Sequence, residues 1–237
     1  MTSTGLFGIV TDAEIKSVRL NGVWTLNGSA HASTYLADGF LCGTATGSTV
    51  YDVDANFSPG TLLAGGSSTT APITHRVGGL IGYASESVVC NVTLKGTVDL
   101  KPFGASGHNT YVGGVIGYAI NAASSVSLLR NVAIFPNGIT GNTAGGLVGY
   151  FHMGSLSHSL NAMQGDVIGI THAGGVCGMH VAGGSCEGLA NSMTGSVEAT
   201  DNAGGMYGCI DASLTTSSSQ LMNYMGGNVQ GTNSGGV

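Results

Sequence analysis

The amino-acid sequence predicts an all-β fold, a repetitive parallel β-solenoid (β-helix) of about seven coils of roughly 30–39 residues each. Two observations support this prediction: a Gly-Gly-apolar-x-Gly signature returns along the whole chain, and no segment shows a sustained hydrophobic period of 3.6 residues. A unit of this size cannot bury its own apolar face, whereas stacked units form a continuous core. We therefore expect one domain over residues 1–237, with degenerate repeats in 1–76 and regular repeats in 77–237.

The glycine signature predicts a tight corner that is repeated in every coil. Its closing glycines, counted from the degenerate copies at Gly8 and Gly43, lie 29 to 39 residues apart. Glycine reaches positive φ and also allows two backbones to lie close together, and a Cβ atom at such a corner would collide with the neighbouring coil. The glycines of the regular copies are Gly78, Gly79, Gly82, Gly113, Gly114, Gly117, Gly145, Gly146, Gly149, Gly174, Gly175, Gly178, Gly204, Gly205 and Gly208.

The apolar residue that follows each glycine pair is predicted to point into the core. These residues form one inward column, and replacing Gly146 with Val in the corner beside it should cost several kcal/mol. The column consists of Leu80, Val115, Leu147, Val176 and Met206.

One asparagine in each unit predicts a second column. Stacked side-chain amides can hydrogen-bond from level to level and can satisfy turn backbone, and sugar or ion binding is the functional alternative. In the regular repeats these asparagines are Asn91, Asn131, Asn161, Asn191 and Asn223, preceded by Asn21 and Asn56.

Composition excludes several classes of function. Only 8% of the residues are charged, against roughly a quarter in ordinary domains. The net charge is −6 and no basic stripe is present, which disfavours nucleic acid as a partner. No apolar stretch reaches the length of a membrane span, and the first residues lack the features of a signal peptide.

The residue types used in catalysis and metal binding are scattered, so we predict no catalytic site, cofactor or metal. Asp52 and Asp54 begin like a calcium loop, but Phe57 replaces the required glycine, which favours an exposed acidic loop. The acids show no paired arrangement of the kind that solenoid glycosidases use. Among the seven histidines, His152 and His180 are a pair that neighbouring coils can bring together.

Of the five cysteines, Cys42 and Cys177 occupy the slot that Ile and Val fill in other repeats, and they are predicted to be buried thiols. The alternative is a disulfide between Cys177 and Cys209, which flank equivalent glycines.

Tyrosines follow three of the closing glycines, at Tyr83, Tyr118 and Tyr150. This line is interpreted as a stacked, half-buried aromatic ladder, and its alternative is a surface that binds sugars.

The run from Ala144 to Tyr150, followed by Asn161 and a new Gly174-Gly175 pair, resembles the GLUG-type repeat of large bacterial and protist surface proteins. The likeness covers 77–237 well and 1–76 weakly. The resemblance implies an extended surface stalk or adhesive region without an active site.

The functional prediction is therefore a non-catalytic structural or adhesive repeat protein, extracellular or at the cell surface. The chain is expected to be a piece of a longer protein or a filament subunit, whose ends are covered by more of the same chain or by other copies. A carbohydrate- or receptor-binding fibre module is the first alternative, and a β-helix enzyme acting on polysaccharide is the second.

Overall fold

The protein is a parallel β-solenoid, as the sequence predicts. A computed structural model describes residues 2–23, 25–27, 35–64, 74–101, 109–120, 127–134, 138–153, 156–157, 160–181, 184–187, 190–211, 216–219 and 222–235. Within these ranges no helix occurs, and each strand pairs in parallel with its equivalent one turn later.

The strands form three sheets, each running along the stack. The first sheet contains β1 (Thr2–Thr4), β3 (Glu14–Gly22), β4 (Thr25–Asn27), β5 (Tyr35–Gly39), β7 (Thr49–Ala64), β8 (Thr74–Gly78), β10 (Val88–Lys101), β11 (Asn109–Gly113), β13 (Ser127–Ile134), β14 (Ile139–Gly145), β17 (Leu160–Gln164), β18 (Val167–Gly174), β21 (Ala190–Met193), β22 (Val197–Ala199), β23 (Asn202–Gly204), β26 (Met222–Met225), β27 (Val229–Gln230) and β28 (Asn233–Gly235). The second contains β2 (Phe7–Thr11), β6 (Cys42–Thr46), β9 (Ile81–Ser85), β12 (Ile116–Ile120), β15 (Val148–His152), β19 (Cys177–Val181) and β24 (Tyr207–Ile210). The third contains β16 (Leu156–Ser157), β20 (Gly184–Glu187) and β25 (Thr216–Ser219).

The coil count differs from the expectation. Seven levels of the stack contribute a strand to the second sheet. The solenoid amounts to about four complete turns rather than the predicted seven.

The inward column after the glycine pairs is confirmed. Leu80, Val115, Leu147, Val176 and Met206 are at most 3% exposed. Each backbone N–H in the column donates to the carbonyl of the equivalent residue one level on, as from Leu80 to Val115 and from Val176 to Met206, at 2.9 Å. This corner ladder therefore has a direction along the stack.

The doubled glycines are explained by close backbone approach and not by positive φ, which is recorded at other glycines such as Gly22 and Gly96. A Cβ on Gly79 would overlap the carbonyl oxygen of Gly114 on the next level, and a Cβ on Gly78 would overlap the carbonyl oxygen of Ile81 across its own corner. Any larger residue would therefore push the levels apart.

An inward column of Leu94, Met163 and Met193 packs against the second glycine of the corner. A Cβ on Gly146 would lie 2.9 Å from Cγ of Met163, and a Cβ on Gly175 would lie 2.8 Å from Sδ of Met193. Methionine is flexible enough to fill irregular gaps of this kind. The methionine content of the chain thus has a packing role.

The predicted asparagine column is only partly correct. Asn161, Asn191 and Asn223 do share one register position. Asn131 falls at the same position, because Val132 pairs with Ala162. Asn21 and Asn56 pair with each other at a different position, and Asn91 lies opposite Asp52. Asn56 and Asn91 are exposed instead of buried. Loops of variable length separate the asparagines from the glycines, so their distance in sequence does not define the register.

The corner makes a direct prediction about stability. Gly146→Ala places a Cβ against the carbonyl oxygen of Gly175 and should lower the free energy of unfolding by about 3 kcal/mol, with a larger loss for Gly146→Val. Gly8→Ala is the matched control, because a Cβ there has its nearest neighbour at 3.4 Å. Chemical denaturation of both variants measures the difference, and equal losses would contradict the contact argument.

Candidate functional site

The closing glycine of each corner brings side chains of the two sheets together with an offset of one level. A Cβ on Gly117 would lie 2.6 Å from the backbone nitrogen of Val77, one level earlier in the stack. The residue after the closing glycine, Tyr118, therefore lies beside the residue before Val77, which is Arg76. The same rule places Thr44 beside Ser3, and their hydroxyl oxygens are 2.7 Å apart.

This offset builds a tyrosine–arginine cluster on one flank of the solenoid. The rings of Tyr118 and Tyr150 stack with centroids 4.7 Å apart and an interplanar angle of 14°. Tyr83 precedes them in the same column at 5.8 Å from Tyr118, so the predicted aromatic ladder is present. The members of the cluster are Tyr35, Arg76, Tyr83, Tyr111, Tyr118 and Tyr150.

Arg76 is the charged centre of this cluster. Its side chain is 9% exposed, and its guanidinium carbon lies 4.5 Å from the ring centroid of Tyr83 and 4.6 Å from that of Tyr118. Burial lowers the pKa of Arg76, and the neighbouring tyrosines oppose that shift. Partly desolvated cation–π contacts of this kind stabilise by up to about 2 kcal/mol.

Tyr111 joins the ladder from the first sheet. Its ring meets Tyr118 edge-on at 5.4 Å and Tyr150 at 4.7 Å. Burial raises the pKa of Tyr111 and of Tyr118, and it raises the pKa of Tyr150 to about 12. The phenols therefore stay neutral through the physiological range and offer no phenolate.

The ring faces in this cluster are used within the protein. Tyr118 stacks on Tyr150 on one side and carries Arg76 close to its ring, so little face is available for a sugar ring to stack against. The geometry favours the aromatic ladder that the sequence predicts over the sugar-binding surface.

A polar ladder follows the cluster along the same column, at a position that the sequence analysis did not identify. Asn233 donates from Nδ2 to Oδ1 of Asn202 at 3.0 Å, and Nδ2 of Asn202 lies 2.9 Å from Nδ1 of His172. These residues stand two positions before a glycine pair, as do Arg76, Tyr111 and Thr143. Counting from the glycines would have found this column.

Asp38 and His75 form a buried pair that the sequence did not predict. Nε2 of His75 lies 2.7 Å from Oδ2 of Asp38, and the side chains are 2% and 5% exposed. Asp38 occupies the core column that Val77 and Val112 continue. His75 therefore supplies a partner to a carboxylate in an otherwise apolar position, which points to a structural role.

The predicted proximity of His152 and His180 is present, on neighbouring strands one register position apart. His180 is 1% exposed, and neither of its ring nitrogens has a hydrogen-bond partner in the described part of the chain. Burial lowers the pKa of His180, and the nearby His152 lowers it further. Across the described ranges, no group of three His, Cys, Asp or Glu side chains could hold a metal ion.

The predicted burial of Cys42 and Cys177 is confirmed, and neither residue forms a disulfide. The alternative disulfide to Cys209 is wrong, because Cys177 pairs with Tyr207 while Cys209 pairs with Met179. Burial raises the pKa of Cys42 to about 12 and also raises the pKa of Cys90 and Cys209. None of these three thiols is set up as a thiolate nucleophile.

Comparison of the chain with protein-family models, with curated proteins and with solved structures finds no match in any of the three. The resemblance to the GLUG-type repeat therefore stays a prediction. Within the described residues, the chain has no helix that is long and apolar enough to cross a bilayer.

Acid should destabilise the solenoid through His180. Its pKa lies below the ordinary value of 6.5, so the unfolded chain takes up the proton first as the pH falls. The stabilisation is complete above about pH 6.5 and declines below it. His180→Phe should flatten the dependence of the melting temperature on pH, and an unchanged slope would contradict this assignment.

Alkali should also destabilise the solenoid, through Tyr150, whose pKa is raised where that of His180 is lowered. Its raised pKa means that the unfolded chain loses the phenolic proton first, so stability falls as the pH rises from 10 towards 12. Tyr150→Phe should reduce this loss, whereas Tyr224→Phe, at a 64% exposed position, should not. Melting temperatures across this range measure both, and equal behaviour of the two variants would refute the prediction.

Proposed function

We propose that this chain is a non-catalytic structural and adhesive repeat module that stacks end to end into an extended assembly outside the cell or at its surface. The observation that carries the proposal is the difference in burial between the first two levels. Leu6, Phe7 and Ile9 are 49%, 46% and 64% exposed. Leu41, Cys42 and Thr44, which stand at the same register positions one level on, are at most 3% exposed.

Each level is therefore covered by the level that precedes it in the chain, and the first level has no such cover in this structure. An apolar strand edge of this kind is a template for further pairing unless something covers it. A parallel strand that presents the same repeat provides the matching backbone spacing and the matching corner.

The direction of the corner ladder makes the two edges of a level complementary. Every corner N–H donates onward along the chain, as from Leu6 to Phe40 and from Leu147 to Val176. At the glycine corner, one edge of a level thus offers carbonyl oxygens and the other offers N–H groups, whereas turns elsewhere donate back to the preceding level, as from Thr49 to Ala13. Contact between opposite edges of two copies is head-to-tail, so it propagates as a fibre rather than closing.

The chemistry of the described side chains agrees with a role without catalysis. Burial raises the pKa of the Cys42 thiol and of the Tyr150 phenol, which keeps both protonated, and the Asp38–His75 pair is closed off from solvent. Low charge density along the chain does little to oppose stacking. Extracellular placement is part of the same proposal and follows from the adhesive role.

Ile9→Lys should disrupt the stacking, because it puts a charge on the exposed edge of the first level. Sedimentation velocity of the 237-residue chain should show association in the wild type that Ile9→Lys weakens at least about tenfold. Ile170→Lys is the matched control, since Ile170 is 58% exposed on a strand paired on both sides. A wild-type chain that stays monomeric at high concentration would overturn the proposal.

A further inference from the structure

The long strands of the first three levels carry a groove that the cluster and the glycine corners do not use. Ser17, Asp52 and Asn91 occupy equivalent positions in β3, β7 and β10, and their φ values are 54°, 54° and 52°. This left-handed residue bends each strand at the same place. Beyond the bend the strands form the floor of an open groove of about 500 Å³.

Successive side chains of the strands that form the floor point alternately into the core and towards the groove. Leu20, Ala55 and Leu94 point into the core and are at most 4% exposed. Arg19 and Asp54 are exposed on the other face, which lines the groove. The floor is anchored by buried apolar residues, so its polar side chains can be exchanged without disturbing the core.

The groove combines both signs of charge with neutral polar groups. Arg19 and Lys95 supply two cations, and Asp52 and Asp54 supply two carboxylates. Asn91 donates a hydrogen bond from its amide to Asp52. The ion pairs found in the described ranges, Lys16–Glu14 and His75–Asp38, use no groove residue.

We propose that this groove binds an oligosaccharide chain. Hydroxyl groups both donate and accept, so neighbouring sugar hydroxyls can donate to the Asp52 and Asp54 carboxylates and accept from Arg19 and Lys95. Equal numbers of cations and carboxylates give no preference for a polyanion such as nucleic acid or for a polycation. The lining comes from three successive levels, so the groove is extended along the stack, which suits a chain rather than a single sugar.

The inference deepens the adhesive part of the proposed function and rests on it. The site is distinct from the tyrosine ladder, which lies on a different pair of strands at each level.

The test is binding of the whole chain to the immobilised neutral oligosaccharides cellohexaose and chitohexaose. At least one of these probes should bind, and Arg19→Gln or Asp54→Asn should weaken that binding about tenfold or more, since each removes a charge-assisted hydrogen bond. Lys16→Gln is the matched control, because Lys16 is exposed on the same strand outside the groove lining, and it should leave binding unchanged.

All of these positions are on the surface, so circular dichroism should show the wild-type fold in every variant. Failure of every probe to bind, or binding that the Arg19 and Asp54 variants leave intact, would overturn the proposal. Binding of a peptide at the same residues, with no sugar bound, would overturn it as well.

The experiments distinguish a wrong proposal about the groove from a wrong proposal about stacking. Ile9→Lys should weaken association while leaving oligosaccharide binding intact, and Asp54→Asn should weaken oligosaccharide binding while leaving association intact. A chain that stacks but binds no probe would remove the groove site and leave the structural role standing.

Discussion

At each corner the second glycine of the pair lies against the carbonyl oxygen of the equivalent glycine one level on, as Gly79 lies against Gly114. This approach leaves no space for a Cβ atom, and it brings the corner N–H groups within hydrogen-bonding distance of the next level. The close approach of the closing glycine, as at Gly117 against Val77, then places the two sheets back to back. The inward column, the offset pairs and the tyrosine ladder all depend on these contacts.

Polar groups inside so tight a stack need partners from the protein, because burying a polar group without a hydrogen-bond partner is costly. Arg76 receives tyrosine ring faces, and Asp38 receives His75. Hydroxyl side chains do the same for turn backbone, as when Oγ of Ser48 accepts from the backbone of Ala13 and donates to the carbonyl of Thr46. His180 departs from this pattern, and its lowered pKa makes it, together with His172, a group through which acid is predicted to act on stability.

The sequence predicted those features that lie at a constant distance from the glycines. The inward column of Leu80 to Met206 and the line of Tyr83, Tyr118 and Tyr150 are in this class, since no loop separates them from the corner. Features beyond a variable loop were misplaced, as Asn91 shows by pairing with Asp52. The partnership of Arg76 with Tyr118 was not predicted, because it depends on an offset of one level between the sheets.

The positions of Asp52 and Asp54 show the same limit of sequence-based prediction, here for a candidate binding surface. In sequence they resemble an exposed acidic loop, but they lie within β7, whose neighbours β3 and β10 bring Arg19 and Lys95 to the same face. Arg19 and Asp54 belong to one register column of the first sheet, and the strands that carry this column shorten from 16 residues in β7 to 4 in β26. The column itself changes from Arg19, Asp54 and Thr93 to Val132, Ala162 and Ser192. Charge is therefore concentrated where the strands are long enough to form a groove floor. Where they are short, Met163 and Met193 fill the space beside the glycine corners, so the charged face and the methionine-filled corners lie at different levels of the stack.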